Sequence, residues 1–178
     1  MTTMNVSEED LSEALAQYLD VSDLRVESDY PHKLTIFVDV RRPVAAVKIG
    51  GRVVAVTGEG LVLESTRNLT TLPRIEADGM IRDSRISGAH TTQALTVLGA
   101  APDVLLRRVK SVEWKKRGLV LTLEKGVKLR FGNATEAAAK WSAAAAVLAS
   151  PSAKGAEYID LRVPDRPAIG GLGAAPVT

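Results

Sequence analysis

No cysteine occurs anywhere in this chain, which excludes a disulfide framework, a thiol nucleophile and a cysteine-ligated zinc site at the outset. Aromatic residues make up only 4% of the sequence, too few to offer a platform on which bases or sugars stack. The core must therefore be built from Val, Leu, Ile and Ala, with Trp114 and Trp141 as its only very large pieces. No run of about 18 apolar residues is present to span a bilayer. The opening Met1-Thr2-Thr3-Met4 has neither the basic start nor the apolar stretch of a secretory signal. Histidine is as scarce: His32 and His90 are the only two, far apart and each among polar neighbours, so both read as lone surface histidines. No Gly-x-Ser-x-Gly elbow, metal-ligand cluster or pair of carboxylates in an apolar setting accompanies them. Neither catalysis nor a cofactor is expected.

What is present describes a folded protein. At 178 residues the chain fits one ordinary domain, or one domain and a fragment of a second, and 46% hydrophobic against 25% charged residues is a globular balance. The net charge is +2, with the basic residues spread along the chain. The short clusters Arg41-Arg42, Arg107-Arg108-Lys110 and Lys115-Lys116-Arg117 read as solvated turns and element ends. Nucleic-acid binding through the last of these is a minor reading, and a steep loss of binding with salt would be its signature.

Ser7-Glu8-Glu9-Asp10 is a helix start, and Leu11, Leu15, Tyr18 and Leu19 recur at helical spacing, predicting an amphipathic helix over 8–19. Leu24 and Val26 suggest a strand, Tyr30-Pro31-His32 a turn, and the alternation of Leu34, Ile36, Val38 and Val40 a second strand. From Val44 the pattern changes to short strands with glycine punctuation: 44–49 and 52–56 about Gly50-Gly51, then 61–63 after Gly58-Glu59-Gly60. These glycines have strands on both sides, so they form hairpins and not a phosphate cradle. Residues 76–88 read as a surface loop, 89–98 as a helix capped by Ser87, and 104–109 as a second helical turn. Residues 111–115, 119–123 and 127–131, joined at Arg117-Gly118 and Lys125-Gly126, form an antiparallel meander. Asn133-Ala134-Thr135-Glu136 reads as a capping box that introduces an alanine-rich helix to Ala149, small enough in its side chains to lie close on a sheet.

The closing stretch carries the site. Tyr158 to Val163 alternates Asp160 and Arg162 with Ile159, Leu161 and Val163, the period of a half-buried strand. Pro164 and Pro167 then confine the next residues to a rim. This predicts that 158–163 is the exposed last strand of an antiparallel sheet, an edge to which another chain can add a strand. Asp160 and Arg162 share one face and read as a solvated pair.

Three motifs, in this order and spacing, carry a family resemblance. They are Tyr30-Pro31-His32-Lys33-Leu34 through Arg41-Arg42-Pro43-Val44-Ala45; Gly58-Glu59-Gly60 followed by Leu72-Pro73; and Phe131-Gly132, the helix containing Lys140, and Tyr158-Ile159-Asp160-Leu161-Arg162. The organisation resembles the extracytoplasmic region of the bacterial cell-division proteins FtsQ and DivIB. The resemblance implies an α+β fold: a partial POTRA module of a helix and two strands over 1–43, a mainly antiparallel β domain with helices packed on it over 44–163, and a flexible tail over 164–178. It implies a non-enzymatic scaffold that binds division proteins of FtsB and FtsL type, and it nominates Leu161, Arg162, Val163, Asp165 and Gly170 as partner-binding residues. Family members carry a cytoplasmic tail, one transmembrane helix and a whole POTRA domain. This chain begins at what corresponds to the second helix of that domain, so the implied location is the inner (plasma) membrane, through an anchor outside the given sequence. No nucleic acid or small-molecule substrate is implied. The alternative reading is a POTRA-like chaperoning or docking module of an outer-membrane or secretion assembly factor, which would use the same edge-strand physics.

Overall fold

A computed structural model describes residues 13, 20–29, 33–63, 66 and 68–171. The helix predicted over 8–19, of which only Glu13 is described, and the turn at Tyr30-Pro31-His32 lie outside those residues. The first described elements are β1 (Val21–Asp29) and β2 (Lys33–Val40), which pair antiparallel as a separate two-stranded sheet with Leu24 opposite Val38. Ile36, Phe37, Val38 and Val40 stay exposed on it.

The remainder is an α+β domain built on one mixed sheet. Its strands are β3 (Ala45–Ile49), β4 (Arg52–Val56), β5 (Val62–Leu63), β6 (Arg74–Glu76), β9 (Val109–Lys115), β10 (Gly118–Leu123), β11 (Lys128–Gly132), β12 (Tyr158–Asp160) and β13 (Ala168–Gly170). They lie in the order β13-β12-β11-β10-β9-β6-β3-β4-β5. Gly50 and Gly51, with φ of 55° and 84°, make the two-residue β3–β4 turn that the sequence predicts, because both central positions of such a turn need positive φ. The β9–β10–β11 meander also forms as expected, and β10 shows why: Leu119, Leu121 and Leu123 are buried while Val120 and Thr122 face outward.

Residues 76–88 are not a plain surface loop. They contain a small hairpin, β7 (Ile81–Arg82) and β8 (Arg85–Ile86), whose turn places Asp83 and Ser84 at positive φ. Helices α1 (Ala89–Gly99), α2 (Asp103–Leu106) and α3 (Ala137–Ala149) bury their inward sides with the sheet in one core. Trp141 of α3 is 1% exposed, meets the Phe131 ring at 5.0 Å, and donates its Nε1–H to the carbonyl of Val97 in α1 at 2.7 Å. One side chain thus joins strand, helix and helix, and truncating such a residue costs about 3–5 kcal/mol. Trp114, expected in the core, is instead 38% exposed at the end of β9.

Both predicted helix caps are replaced by longer-range contacts. Ser87 donates its hydroxyl to the carbonyl of Met80 and does not cap α1. Asp78 does so from the loop after β6: its carboxylate accepts the N–H groups of His90 and Thr91, each at 3.0 Å, and the Thr91 hydroxyl at 2.6 Å. This satisfies donors that a helix start otherwise leaves unpaired. The Asn133 capping box does not form, because α3 starts one residue after a left-handed Glu136 (φ 54°). Asn133 Oδ1 accepts instead from the Thr135 N–H and from Lys140 Nζ.

Candidate partner-docking site

The predicted strand from Tyr158 to Val163 ends at Asp160. Leu161 is fully buried, and its N–H donates to the carbonyl of Arg130 at 2.9 Å, the last bond of the ladder with β11. Arg162 folds back on Asp160, with Nε at 2.9 Å from Oδ1 and Nη2 at 2.6 Å from Oδ2. The pair is less solvated than expected: the Asp160 side chain is only 16% exposed. Hydrogen bonds from Arg162 hold the Asp160 carboxyl below its usual range, against the upward push of burial and with help from the charges of Arg162 and Arg130. The stem of Arg162 lies on Gly132, where a Cβ would stand 2.9 Å from Arg162 Cγ.

β12 is also not the last strand, and it does not join the meander antiparallel. It pairs parallel with β11, Leu129 opposite Ile159, and is covered on its other side by β13, Ile159 opposite Ile169. A parallel neighbour needs a long crossover, which α3 supplies between β11 and β12. Among the described residues the open edge therefore lies one strand further on, at Ala168–Gly170. The prolines signalled this correctly in kind, since β13 follows Pro167 and occupies a rim. The opposite end of the sheet is covered: Leu61 bridges Arg85, the Val62 N–H donates to Ser84 O and the Ile86 N–H to Gly60 O, each at 2.8 Å.

β13 is held close by small residues. A Cβ on Gly170 would stand 2.2 Å from Tyr158 Cζ, so the tyrosine ring lies directly on the backbone of β13. Arg130 covers the same ring, its guanidinium carbon 3.5 Å from the centroid, a cation–π contact. Alternation along β9, β10 and β11 then carries the outer face of the sheet toward this edge as a basic surface. A groove of about 600 Å3 there is lined by Lys115, Lys116, Arg117, Lys128, Arg130 and Arg162, with Glu113 as its one carboxylate. Glu113 is already paired with Lys115.

The five nominated residues do not form one surface. Gly170 is on the open edge, with Arg162, Val163 and Asp165 in the exposed turn that leads to it; Val163 is 57% exposed. Leu161 offers no surface, being fully buried, and acts as the peg that fixes the turn. The cation–π pair of Arg130 and Tyr158 escaped sequence reasoning because it depends on the parallel β11–β12 register, which no local pattern encodes.

Lys140 shows how the end of β11 is fixed. It is 2% exposed, and its ammonium donates to the carbonyls of Phe131 and Asn133 and to Asn133 Oδ1 at 3.0–3.1 Å. Burial pushes its pKa down, with the charge of Glu136 opposing. His90 is not isolated either: its Nδ1 lies 3.1 Å from Asp78 and its ring stacks on Trp114 at 4.2 Å. Among the described residues no group of three His, Cys, Asp or Glu side chains is placed to hold a metal.

The domain is thus an α+β fold whose sheet is covered at one end, has β13 outermost among the described residues at the other, and carries a basic face beside it. The family model for the C-terminal domain of cell division protein FtsQ/DivIB matches residues 45–162, more than half of the chain. The chain belongs to that family, a family of non-catalytic, membrane-anchored cell-division scaffolds, and its role is in cell division. No curated protein sequence matches the chain. No helix among the described residues is long and apolar enough to cross a membrane.

Proposed function

We propose that this domain docks another division protein, of FtsB or FtsL type, by accepting an extended segment on β13 during septum formation. The observation that carries the reading is the open edge of the nine-stranded sheet at Ala168–Gly170, adjoining the basic outer face. Strand addition supplies main-chain hydrogen bonds worth roughly 0.5–1.5 kcal/mol each. A strand of three residues offers on the order of two outward bonds, since alternate groups face the edge. Association costs about 4–15 kcal/mol, so the backbone alone does not hold a partner. Arg162, Arg130 and the Lys115–Arg117 turn provide the remainder by attracting an acidic segment that flanks the added strand, with Val163 as an apolar contact and Asp165 setting local charge. Leu161 contributes by positioning the turn. Within this reading the β1–β2 hairpin belongs to a POTRA-like module over 1–43, which its separate sheet and exposed apolar residues support. Residues 44–163 make up most of the docking domain, and β13 within 164–178 completes it.

The test is a pull-down of FtsB-type and FtsL-type extracytoplasmic segments on the chain, its Ala168→Pro variant and its Ile169→Pro variant. Neighbouring residues of a strand aim their N–H groups to opposite sides, so one proline removes an outward donor and the other an inward one. The variant that keeps its thermal unfolding midpoint is expected to lose binding. Retained binding in that variant would overturn strand addition at β13.

A further inference from the structure

A single residue pair, Arg74 opposite Ser111, joins β6 to β9 in the middle of the large sheet. Beyond it the two strands part. β6 stays with β3, the Ala77 N–H donating to Lys48 O at 3.0 Å, and the chain then leaves so that Asp78 caps α1. β9 runs on to Lys115 with β10 as its neighbour on the other side. The sheet is therefore split beyond Val112, along Glu113 and Trp114, where the β6 side of β9 has no strand partner among the described residues. A groove of about 890 Å3 follows the split, a volume in the range of ligand and peptide sites.

The lining selects the occupant. Trp114 and Val53, 38% and 49% exposed, offer apolar contact, and Leu69 walls the groove from the overlying loop. Of the charged residues that line it, Lys48 pairs with Glu76 at 3.7 Å and Glu113 with Lys115. Arg74 has no acidic partner among the described residues. Two carboxylates in the groove argue against a nucleic acid or an anionic lipid surface, both of which need an excess of cations. Strand backbone without a partner calls for main-chain donors and acceptors, which an extended peptide brings.

We infer that the split between β6 and β9 is a second docking site, taking an extended peptide whose carboxylate side chain meets Arg74 and whose neighbouring apolar side chain meets Trp114. It lies three strands in from β12 and does not depend on the β13 edge.

The experiment is selection of a displayed library of random linear heptapeptides on the full chain, followed by titration of the enriched peptides watched by the fluorescence anisotropy of a dye carried on the peptide. Enriched sequences are expected to place Asp or Glu beside an aliphatic or aromatic residue. Their affinity should fall about tenfold or more in Arg74→Ala and in Trp114→Ala, each checked for unchanged circular dichroism, and stay unchanged in whichever of Ala168→Pro and Ile169→Pro keeps its unfolding midpoint. Arg74→Lys, which keeps the charge, should lose less than Arg74→Ala. Failure to enrich acidic peptides, or enriched peptides that ignore Arg74→Ala, would overturn the second site. Peptides that lose binding only in that folded proline variant would overturn it too, while supporting the β13 edge.

Discussion

Replacing Asp78 by asparagine removes one negative charge and leaves the shape of the α1 cap nearly intact. Burial by itself would raise the Asp78 carboxyl, but the hydrogen bonds from the Thr91 hydroxyl, the His90 and Thr91 N–H groups and its own backbone outweigh it. They lower its pKa from 3.8 to about 2. A depressed carboxylate pKa means that the folded state holds the ionised form more tightly than the unfolded chain does. The corresponding stability is present above pH ~4 and disappears as pH falls toward 2. At 1.36 kcal/mol for each tenfold change in acidity, a carboxyl held this far below its ordinary value contributes about 2 kcal/mol before screening. The carboxylate keeps 32% of its side-chain surface in water, so solvent screening reduces the net value to about 1–2 kcal/mol. For a chain of this length that is about 2–8 °C in unfolding midpoint. Urea unfolding of wild type and Asp78→Asn, followed by far-UV circular dichroism at pH 7, 5, 3.5 and 2.5, measures the difference. It is expected to be about 1–2 kcal/mol at pH 7 and 5 and to shrink steadily below pH 4. A difference that stays constant from pH 7 to 2.5 would refute the electrostatic account, and so would no difference at pH 7, since asparagine keeps the shape of the cap.

Two further substitutions test the packing that shapes the docking edge. Lys140→Met removes a buried ammonium and its three hydrogen bonds; the Phe131 carbonyl keeps the Asn133 N–H and Asn133 Oδ1 the Thr135 N–H, while the Asn133 carbonyl loses its donor, so thermal unfolding should show a loss of about 1–3 kcal/mol. Gly170→Ala forces a methyl to within 2.2 Å of the Tyr158 ring, which should cost about 1–3 kcal/mol and weaken partner binding in the pull-down. Adding Tyr158→Ala should restore most of the lost stability, and a double variant no better than the single one would count against this contact.

The elements that sequence alone made visible are those whose cause is local. β10 declares itself because every second residue is Leu, and the β3–β4 turn because two glycines stand where two positive φ angles are needed. The alanine-rich helix was legible in extent but not in its start, since Lys140 competes for the Asn133 side chain that would have capped it. Asp78 could not be recognised as the cap of α1, because it reaches the helix from twelve positions before His90. The closing strand was the instructive miss. Its alternation continues through Val163, but past the last ladder bond, from the Leu161 N–H to Arg130 O, Arg162 clamps back on Asp160 and the chain turns away. β13 has three residues of unremarkable β propensity and owes its place to Ile169 opposite Ile159 and to the glycine beneath Tyr158. Thus a sheet edge near the second proline was readable, while the strand that forms it depended on contacts with distant parts of the chain.

The order of strands also bears on synthesis. β12 and β13 follow every other described strand in the sequence yet stand outermost at one end of the sheet. In a chain released after α3, β11 would be the exposed border, with the Arg130 carbonyl deprived of the Leu161 N–H. Under the proposed docking at β13, such a chain lacks the partner's surface, so a bound partner would certify that translation had reached the end of β13.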